Sequence, residues 1–378
     1  MKPYHIVFTT INYPTVINDL YDNIQRFNHL HEVKLWVIGD RKTPSECRQL
    51  AEATTQKGLE TVYLGIEEQD EWGQRCHDFY SRIPYNNETR RNIGYLCALE
   101  DKCEILISID DDNFPVDDCD FIGSHSITGQ IWENTTISEE TGFHNVCEYL
   151  EFQPSRAIYP RGYPFRLRGK KNQSQFISSD SGMRIGVTAG LWLLDPDIDA
   201  TTWLNGPVSG IGYHGDTVQV LTQSTWTPIN TQNTSIVREL IPAFLCIPMA
   251  WPVPGGSIQR YGDIWGGYFL QSLMQKTTFL AAFGNPIVEH RRNPHDYIND
   301  LRYEYWGMIL TDWLLELLKT RFSPNSPLII DRVQELADFL QNVAIPELPV
   351  WCPEEIAGFL TWTEGNLRTW GKACHLFL

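Results

Sequence analysis

Three consecutive aspartates are the residues of this chain whose chemistry is easiest to infer. Asp110, Asp111 and Asp112 directly follow the apolar run 105–109. Side chains of a β-strand alternate between its two faces, so Asp110 and Asp112 point the same way. Mg²⁺ and Mn²⁺ prefer such oxygen ligands and leave positions free for substrate phosphates. The triplet therefore predicts a Mg²⁺ or Mn²⁺ site at Asp110 and Asp112, with an acidic surface loop as the alternative.

Fixed cations and polar strand ends are the next candidates for binding. Arg90 and Arg91 begin a predicted helix that leads to the acidic strand, and guanidinium groups bind phosphate oxygens in pairs. A solvated helix face is the alternative for both arginines. Asp40 ends another predicted strand, where it either accepts hydrogen bonds from a base or ribose or closes a turn. Thr9 and Thr10 end the first strand.

Strands and helices alternate over the first 110 residues. The predicted strands are 5–11, 33–38, 61–66 and 105–109, and the predicted helices are 16–27, 44–56 with Thr43 as cap, 68–80 and 88–99. This alternation predicts a parallel sheet with both faces covered, in which ligands bind beyond the carboxyl ends of the strands. Thr9, Thr10, Asp40 and the acidic triplet all lie at such ends.

The remainder of the chain is less regular until its last 80 or so residues. We predict short strands at 190–194 and 244–247, a mobile surface loop at 222–236, and helices at 303–322 and 331–343. These boundaries predict a catalytic domain over 1–295 and a helical C-terminal extension over 296–378. The apolar stripes of the extension fit either a core role or the interface of a homo-oligomer.

Composition excludes several classes of protein. The chain has 378 residues and a formal net charge of −17, which disfavours nucleic acid as a partner. No apolar run reaches the length of a membrane span, and the first residues do not form a signal peptide. A cytoplasmic location is the resulting expectation.

Longer segments resemble two related families. The N-terminal third resembles the STELLO-type glycosyltransferase-like domain at 9–15, 37–44, 91–96 and 109–113. The middle is similar to the reversibly glycosylated polypeptides, which are UDP-arabinopyranose mutases, at 161–168 (RGYPFRLR), 190–193 and 260–267. The resemblance implies an α/β GT-A fold, Rossmann-like, with a mixed sheet and C-terminal helices. It also implies that the acidic triplet holds a metal ion and the diphosphate of a nucleotide sugar.

The resemblance nominates further site residues. Arg161 occupies the position that becomes reversibly glycosylated in the mutases. A guanidinium is a poor nucleophile, so pairing with diphosphate oxygens, with Arg168 as a second cation, is its more ordinary role. A buried pair with a carboxylate is the alternative. His290 occupies a place similar to that of a late metal-binding histidine in GT-A enzymes.

Two residues of the 260–267 segment have sugar-directed interpretations. Asp263 can accept a sugar hydroxyl or act as a base, and Trp265 can offer a flat apolar face to a sugar ring. Helix capping and core packing are the respective alternatives. Gly262 departs from the acidic residue usual in the mutase motif, so nucleotide-sugar use carries over better than arabinose chemistry.

Two hypotheses about function follow. The first is a metal-dependent enzyme that acts on a UDP-sugar, as a mutase or a glycosyltransferase, with self-glycosylation as one variant. The second is a non-catalytic protein that binds a nucleotide sugar or a glycosyltransferase and regulates it.

Overall fold

A computed structural model describes residues 2–215 and 218–378, and most of its strands join one large mixed sheet. The strands are β1 (Tyr4–Thr9), β2 (Val33–Ile38), β3 (Glu60–Leu64), β4 (Ile105–Ile109), β5 (Asn113–Pro115), β6 (Thr135–Glu139), β7 (Leu150–Gln153), β8 (Ser174–Ser178), β9 (Arg184–Leu194), β10 (Ser209–Tyr213), β11 (Val218–Leu221), β12 (Asn233–Val237), β13 (Trp251–Val253), β14 (Gly256–Ile258) and β15 (Phe279–His290). The helices are α1 (Val16–Arg26), α2 (Glu46–Gln56), α3 (Ile66–Gly73), α4 (His77–Tyr80), α5 (Arg91–Glu100), α6 (Phe121–His125), α7 (Ala200–Leu204), α8 (Gly262–Leu273), α9 (Tyr297–Thr320), α10 (Ile329–Phe339) and α11 (Glu354–Phe377).

The N-terminal half contains the predicted parallel sheet. Its strands lie in the order β3-β2-β1-β4, and each neighbouring pair is parallel. Every residue of β4 is buried, as expected for a strand that is covered on both faces. The predicted cap Thr43 is wrong, because helix α2 begins after Ser45 and the Thr43 hydroxyl instead donates to the carbonyl of Thr10 at 2.5 Å.

The sheet continues through antiparallel strand β12, which contains residues 233–236 of the predicted mobile surface loop 222–236. Residues 222–232 are irregular as predicted, but most of them are buried rather than at the surface. Strand β12 is fully buried and pairs with β4 on one side and β9 on the other. Its polar side chains find internal partners: the Thr234 hydroxyl donates to the carbonyl of Asn230 at 2.8 Å, and the Ser235 hydroxyl lies 2.7 Å from that of Thr128. Polar groups are commonly buried when they are hydrogen-bonded, so the polarity of a segment does not by itself place that segment at the protein surface.

Residues 244–247 are buried but do not form the predicted strand. They run beneath helix α8, and the Ile247 amide donates to the carbonyl of Gly262 at 3.1 Å. A Cβ atom at Gly266 would lie 2.2 Å from the carbonyl oxygen of Leu245. Glycines in α8 therefore permit a backbone contact that residues with side chains would prevent, and this contact replaces strand pairing.

Helices α9, α10 and α11 form the predicted C-terminal helical segment, starting at Tyr297. Helix α9 also packs on α7 and on the β13–β14 hairpin, and its Asp300 and Tyr303 reach the cleft described below. No helix within residues 2–215 and 218–378 is both long and apolar enough to cross a membrane. The domain boundary at 295 and an oligomer formed through these helices stay predictions.

Candidate active site

A cleft with two chambers lies at the carboxyl ends of β1 and β4. The first chamber has a volume of about 330 Å³ and the second about 540 Å³. Both chambers are lined by the same five residues where they meet: Glu88, Arg91, Asp110, Asp112 and His295. The first chamber extends towards Arg161 and Asp263, and the second towards Thr9, Thr10 and Asp111. The predicted acidic triplet thus lies at the junction.

Asp110 and Asp111 are held by residues from neighbouring elements. Arg91, the first residue of α5, donates to Asp110 at 2.5 Å. Burial raises the pKa of Asp110, although Arg91 opposes that shift. The Thr10 hydroxyl donates to Asp111 at 2.5 Å, and burial raises the pKa of Asp111 to about 6. Each carboxylate keeps a second oxygen, so neither contact removes the group from the cleft.

Asp112 and His290 form a further pair that lines the first chamber. His290 donates through Nδ1 to the carbonyl of Asp195 at 2.6 Å, which turns Nε2 towards Asp112 at 3.5 Å. Burial alone would raise the pKa of Asp112, but contact with His290 holds that pKa below its usual value. Burial alone would lower the pKa of His290, but the carboxylate of Asp112 raises that pKa above its usual value.

The acidic triplet and His290 offer donor atoms of the kind that a hard divalent cation binds. Two carboxylates and an imidazole with its Nδ1 already engaged offer oxygen and nitrogen ligands. No group of three or more His, Cys, Asp or Glu side chains in the described chain converges closely enough to form a complete metal site. Mg²⁺ often takes only one or two carboxylates and fills its other positions with phosphate and water, which agrees with this incomplete set.

Arg161 is clamped between two aspartates. Its Nε donates to Asp197 at 2.8 Å and its Nη2 donates to Asp263 at 2.8 Å. Further bonds join Nη2 to Asp197, Nη1 to Asp263, and Nη1 to the carbonyl of Arg260. A guanidinium has five N–H groups, so all of them are taken. The alternative interpretation of Arg161, a buried pair with carboxylates, describes this structure, and no N–H group is left for a phosphate.

Asp263 does not cap helix α8. The helix begins at Gly262 after Tyr261, and no side chain caps its N-terminus. Both oxygens of Asp263 instead accept from Arg161. Arg260 lies in the left-handed backbone region with a φ of 61°, which is uncommon for a residue with a side chain and directs its carbonyl to Arg161. The carboxylate of Asp263 lines the first chamber beside this clamp.

Four residues nominated from the sequence do not line either chamber. Arg90 is fully buried and donates to Gln69, so it contacts no phosphate. Asp40 is buried in a turn, where it accepts from the Arg41 amide at 2.7 Å. Arg168 pairs with Asp199 and stacks on a phenylalanine ring. The fourth residue, Trp265, has no exposed surface. These nominations need correction, because local sequence does not show which side chains the core encloses.

Trp265 belongs to the core, and we predict that Trp265→Phe affects stability alone. Its indole N–H donates to the Thr311 hydroxyl at 2.9 Å, and its ring packs against Phe359. Loss of volume and of this bond should lower the free energy of unfolding by about 1–3 kcal/mol. Chemical denaturation measures this, with half-exposed Trp351→Phe as the control. Weaker nucleotide-sugar binding by folded Trp265→Phe would contradict the assignment.

Several residues that line the first chamber were not predicted, among them Asp197, Glu88 and Arg292. Asp197 follows β9 in a cluster of aspartates at 195, 197 and 199, the same kind of signal as the acidic triplet. The side-chain amide of Asn230 donates to Asp197 at 2.7 Å. Burial alone would raise the pKa of Asp197, but Arg161 lowers that pKa to about 2. The carboxylate of Glu88 lines both chambers of the cleft, and desolvation by the surrounding protein raises its pKa. Arg292 lies two residues after His290.

The fold and cleft together define a class of protein. A parallel Rossmann-like half continues into antiparallel strands, with an acidic strand end at the cleft between them. This arrangement of strands matches the GT-A fold that the resemblance implied, and the predicted α/β class with a mixed sheet and C-terminal helices is confirmed.

Comparison with known sequences identifies the family. The family model for reversibly glycosylated polypeptide matches residues 69–350, so the chain belongs to that family. UDP-arabinopyranose mutase 1 of Arabidopsis thaliana is 26% identical over 289 residues, which is 75% of this chain and 74% of that protein. UDP-arabinopyranose mutase 2 of the same plant is 28% identical over 241 residues, covering 63% and 59%. The predicted relationship to the mutase family is confirmed.

Solved structures with a similar fold are more distant. Glucosyl-3-phosphoglycerate synthase from Mycobacterium tuberculosis, in complex with phosphoglyceric acid, has a TM-score of 0.37 at 12% identity, covering 82% of this chain and 80% of that one. A mannosyltransferase from Pyrobaculum calidifontis, in complex with GDP-Man and Mn²⁺, has a TM-score of 0.39 at 10% identity, covering 98% and 73%. At such TM-scores the likeness says nothing about substrate or metal.

Proposed function

We propose that this chain is a metal-dependent enzyme that acts on a UDP-sugar, as a mutase or as a glycosyltransferase. Membership of the reversibly glycosylated polypeptide family supports the substrate class, since the relatives are named UDP-arabinopyranose mutases. The observation that carries the proposal is the cleft, whose two chambers meet at the acidic triplet. That arrangement suits a ligand with two bulky ends joined by a charged linker.

The proposed pose follows from the linings of the chambers. The nucleoside lies in the second chamber near Thr9 and Thr10, the diphosphate at the junction, and the sugar in the first chamber near Asp263. Asp110, Asp112 and His290 would hold Mn²⁺ or Mg²⁺. When bound, such an ion neutralises charge that develops on the diphosphate. Asp263 faces the sugar, where its carboxylate accepts a hydroxyl or takes a proton.

Arg161 has a positioning role in this proposal. Asp197 and Asp263 use its N–H groups, and these two carboxylates raise the pKa of the guanidinium further despite its burial. A guanidinium must lose a proton before its nitrogen can attack a sugar carbon. The clamp opposes that step, so self-glycosylation at Arg161 requires a rearranged site.

Incubation with a panel of UDP- and GDP-sugars and Mn²⁺ tests the proposal. Free nucleotide, rearranged nucleotide sugar and intact protein mass are followed together. A mutase yields rearranged nucleotide sugar, a transferase yields free nucleotide with a glycosylated acceptor, and self-glycosylation adds the mass of a sugar. Tight binding without any of these products would contradict an enzyme and favour the non-catalytic, regulatory hypothesis.

Replacement of Asp112 tests the proposed metal site. Asp112→Ala removes a carboxylate that pairs with His290, and we expect the Mn²⁺-dependent part of nucleotide-sugar affinity to fall at least about tenfold. Calorimetry with and without Mn²⁺ measures this. The control is Asp118→Ala, which removes a fully exposed carboxylate close by in sequence. Unchanged Mn²⁺-dependent affinity in a folded Asp112→Ala protein would rule out the assignment.

A further inference from the structure

One arginine of the first chamber carries a buried N–H group without an acceptor. The side chain of Arg292 is 7% exposed, and its Nη1 has no hydrogen-bond partner among the residues that the structure describes. The carboxylate of Asp300 lies 3.6 Å from Nη2. A buried donor normally has a partner, and the Arg292 side chain lines the first chamber, so a ligand group in that chamber is a candidate to complete it.

Each of the other arginines of this chamber already has a side-chain hydrogen-bond partner. Arg91 donates to Asp110 and to Thr231, and Arg260 donates to Glu304 at 2.9 Å. All N–H groups of Arg161 are taken by the clamp. Of the four, Arg292 is the one with a buried nitrogen that lacks a partner in the described part of the chain.

The backbone places Arg292 next to the acidic triplet. The amide of Arg291 donates to the carbonyl of Asp112 at 2.9 Å, and the amide of Arg292 donates to the Asp195 carboxylate at 3.1 Å. The guanidinium carbon lies 5.3 Å from the centroid of the Trp203 ring. The two amide bonds hold the backbone at Arg292 before any ligand arrives, which reduces the entropy lost on binding.

We infer that Arg292 binds the phosphate next to the sugar, within the diphosphate of the nucleotide sugar. The inference rests on the proposed function and adds a residue to it. A sugar in the first chamber puts its phosphate on that side of the junction, in the chamber that Arg292 lines. A guanidinium binds phosphate oxygens through paired N–H groups and stays charged. Arg292 thereby takes the leaving-group role that the sequence suggested for Arg161 and Arg90.

Binding of UDP, UMP and uridine in the presence of Mn²⁺ tests this inference. For Arg292→Gln we expect UDP affinity to fall at least about tenfold, UMP affinity to fall less, and uridine affinity to be unchanged. Arg292→Lys should recover part of the loss, since it keeps the charge without the fork. The control is Arg291→Gln, because Arg291 is half-exposed and pairs with Glu289 at 2.8 Å. Melting temperatures establish that each variant is folded.

The possible failures differ from one another. If the wild-type protein binds no UDP, the proposed function falls and this inference with it. If the wild-type protein binds UDP and folded Arg292→Gln binds it equally well, this inference alone is overturned. A carboxylate on the sugar would also suit Arg292. Loss of affinity for a UDP-uronate with full affinity for UDP would therefore assign Arg292 to the sugar and overturn the phosphate assignment.

Discussion

Arg161→Met is expected to lower the free energy of unfolding by about 3–5 kcal/mol at neutral pH, which is the usual effect of breaking a buried ion pair from one side. Arg161 is buried, and two carboxylates, Asp197 and Asp263, lose their cation with it. Asp197 is the more enclosed of the two. Denaturant unfolding of both proteins at pH 7 measures the difference.

The sign of the pH dependence makes this prediction specific. In the native protein Arg161 holds the pKa of Asp197 at about 2, although burial acts in the opposite direction. The stabilisation of the fold by ionised Asp197 is therefore complete above the unfolded pKa of about 3.9, and it is lost as the pH falls towards 2. In the variant, burial without the cation raises that pKa instead. The unpaired carboxylate therefore destabilises the variant at neutral pH and does so less in acid, where it is protonated. The difference in the free energy of unfolding between the two proteins should narrow as the pH falls from 7 to about 3.

The control for Arg161 comes from the same segment. The guanidinium of Arg166 is about half-exposed and lies 3.6 Å from Glu316. Arg166→Met should change the free energy of unfolding by less than about 1 kcal/mol, as is usual for exposed pairs. If Arg161→Met were equally mild at pH 7, the clamp would not be a stabilising element of this fold.

Asp263→Asn is expected to reduce turnover of the nucleotide sugar roughly a hundredfold. The substitution keeps the shape of the side chain but removes the charge that faces Arg161 at 2.8 Å and the first chamber. Nucleotide affinity should stay near the wild-type value, because the proposed nucleoside and diphosphate contacts lie beyond this residue. Steady-state kinetics and calorimetry on the same preparation separate the two effects.

A control and a pH profile make this test decisive. Asp331→Asn removes an exposed aspartate from the first turn of α10, as Asp263→Asn does in α8, without touching the cleft. If Asp263 takes a proton, the acidic limb of the pH–rate profile should disappear in Asp263→Asn. If it only holds Arg161, that limb should remain while turnover falls. Wild-type turnover would remove Asp263 from the site altogether.

Strong local patterns in the sequence were sufficient to predict the strands and helices of the N-terminal half. The apolar run 105–109 predicted strand β4, which the structure confirms, and the aspartates that follow it line the cleft. The prediction failed for elements whose secondary structure depends on partners that are distant in sequence. The segment around Thr234 and Ser235 looks like a surface loop, but hydroxyl partners make it a central strand.

The sequence by itself determined the alternating α/β half, the acidic strand end and the family, because periodic burial and contiguous motifs are properties of neighbouring residues. Only the tertiary structure decided which charged side chains are free. Arg161, Arg90 and Arg292 are equally basic in the sequence, yet carboxylates and a carbonyl occupy all N–H groups of Arg161, and Arg90 is bonded to Gln69 inside the core. Arg292 keeps a buried N–H group without a partner among the residues that the structure describes. The physical reason is that partners 36 and 102 residues away from Arg161, at Asp197 and Asp263, saturate it, and only folding brings them together.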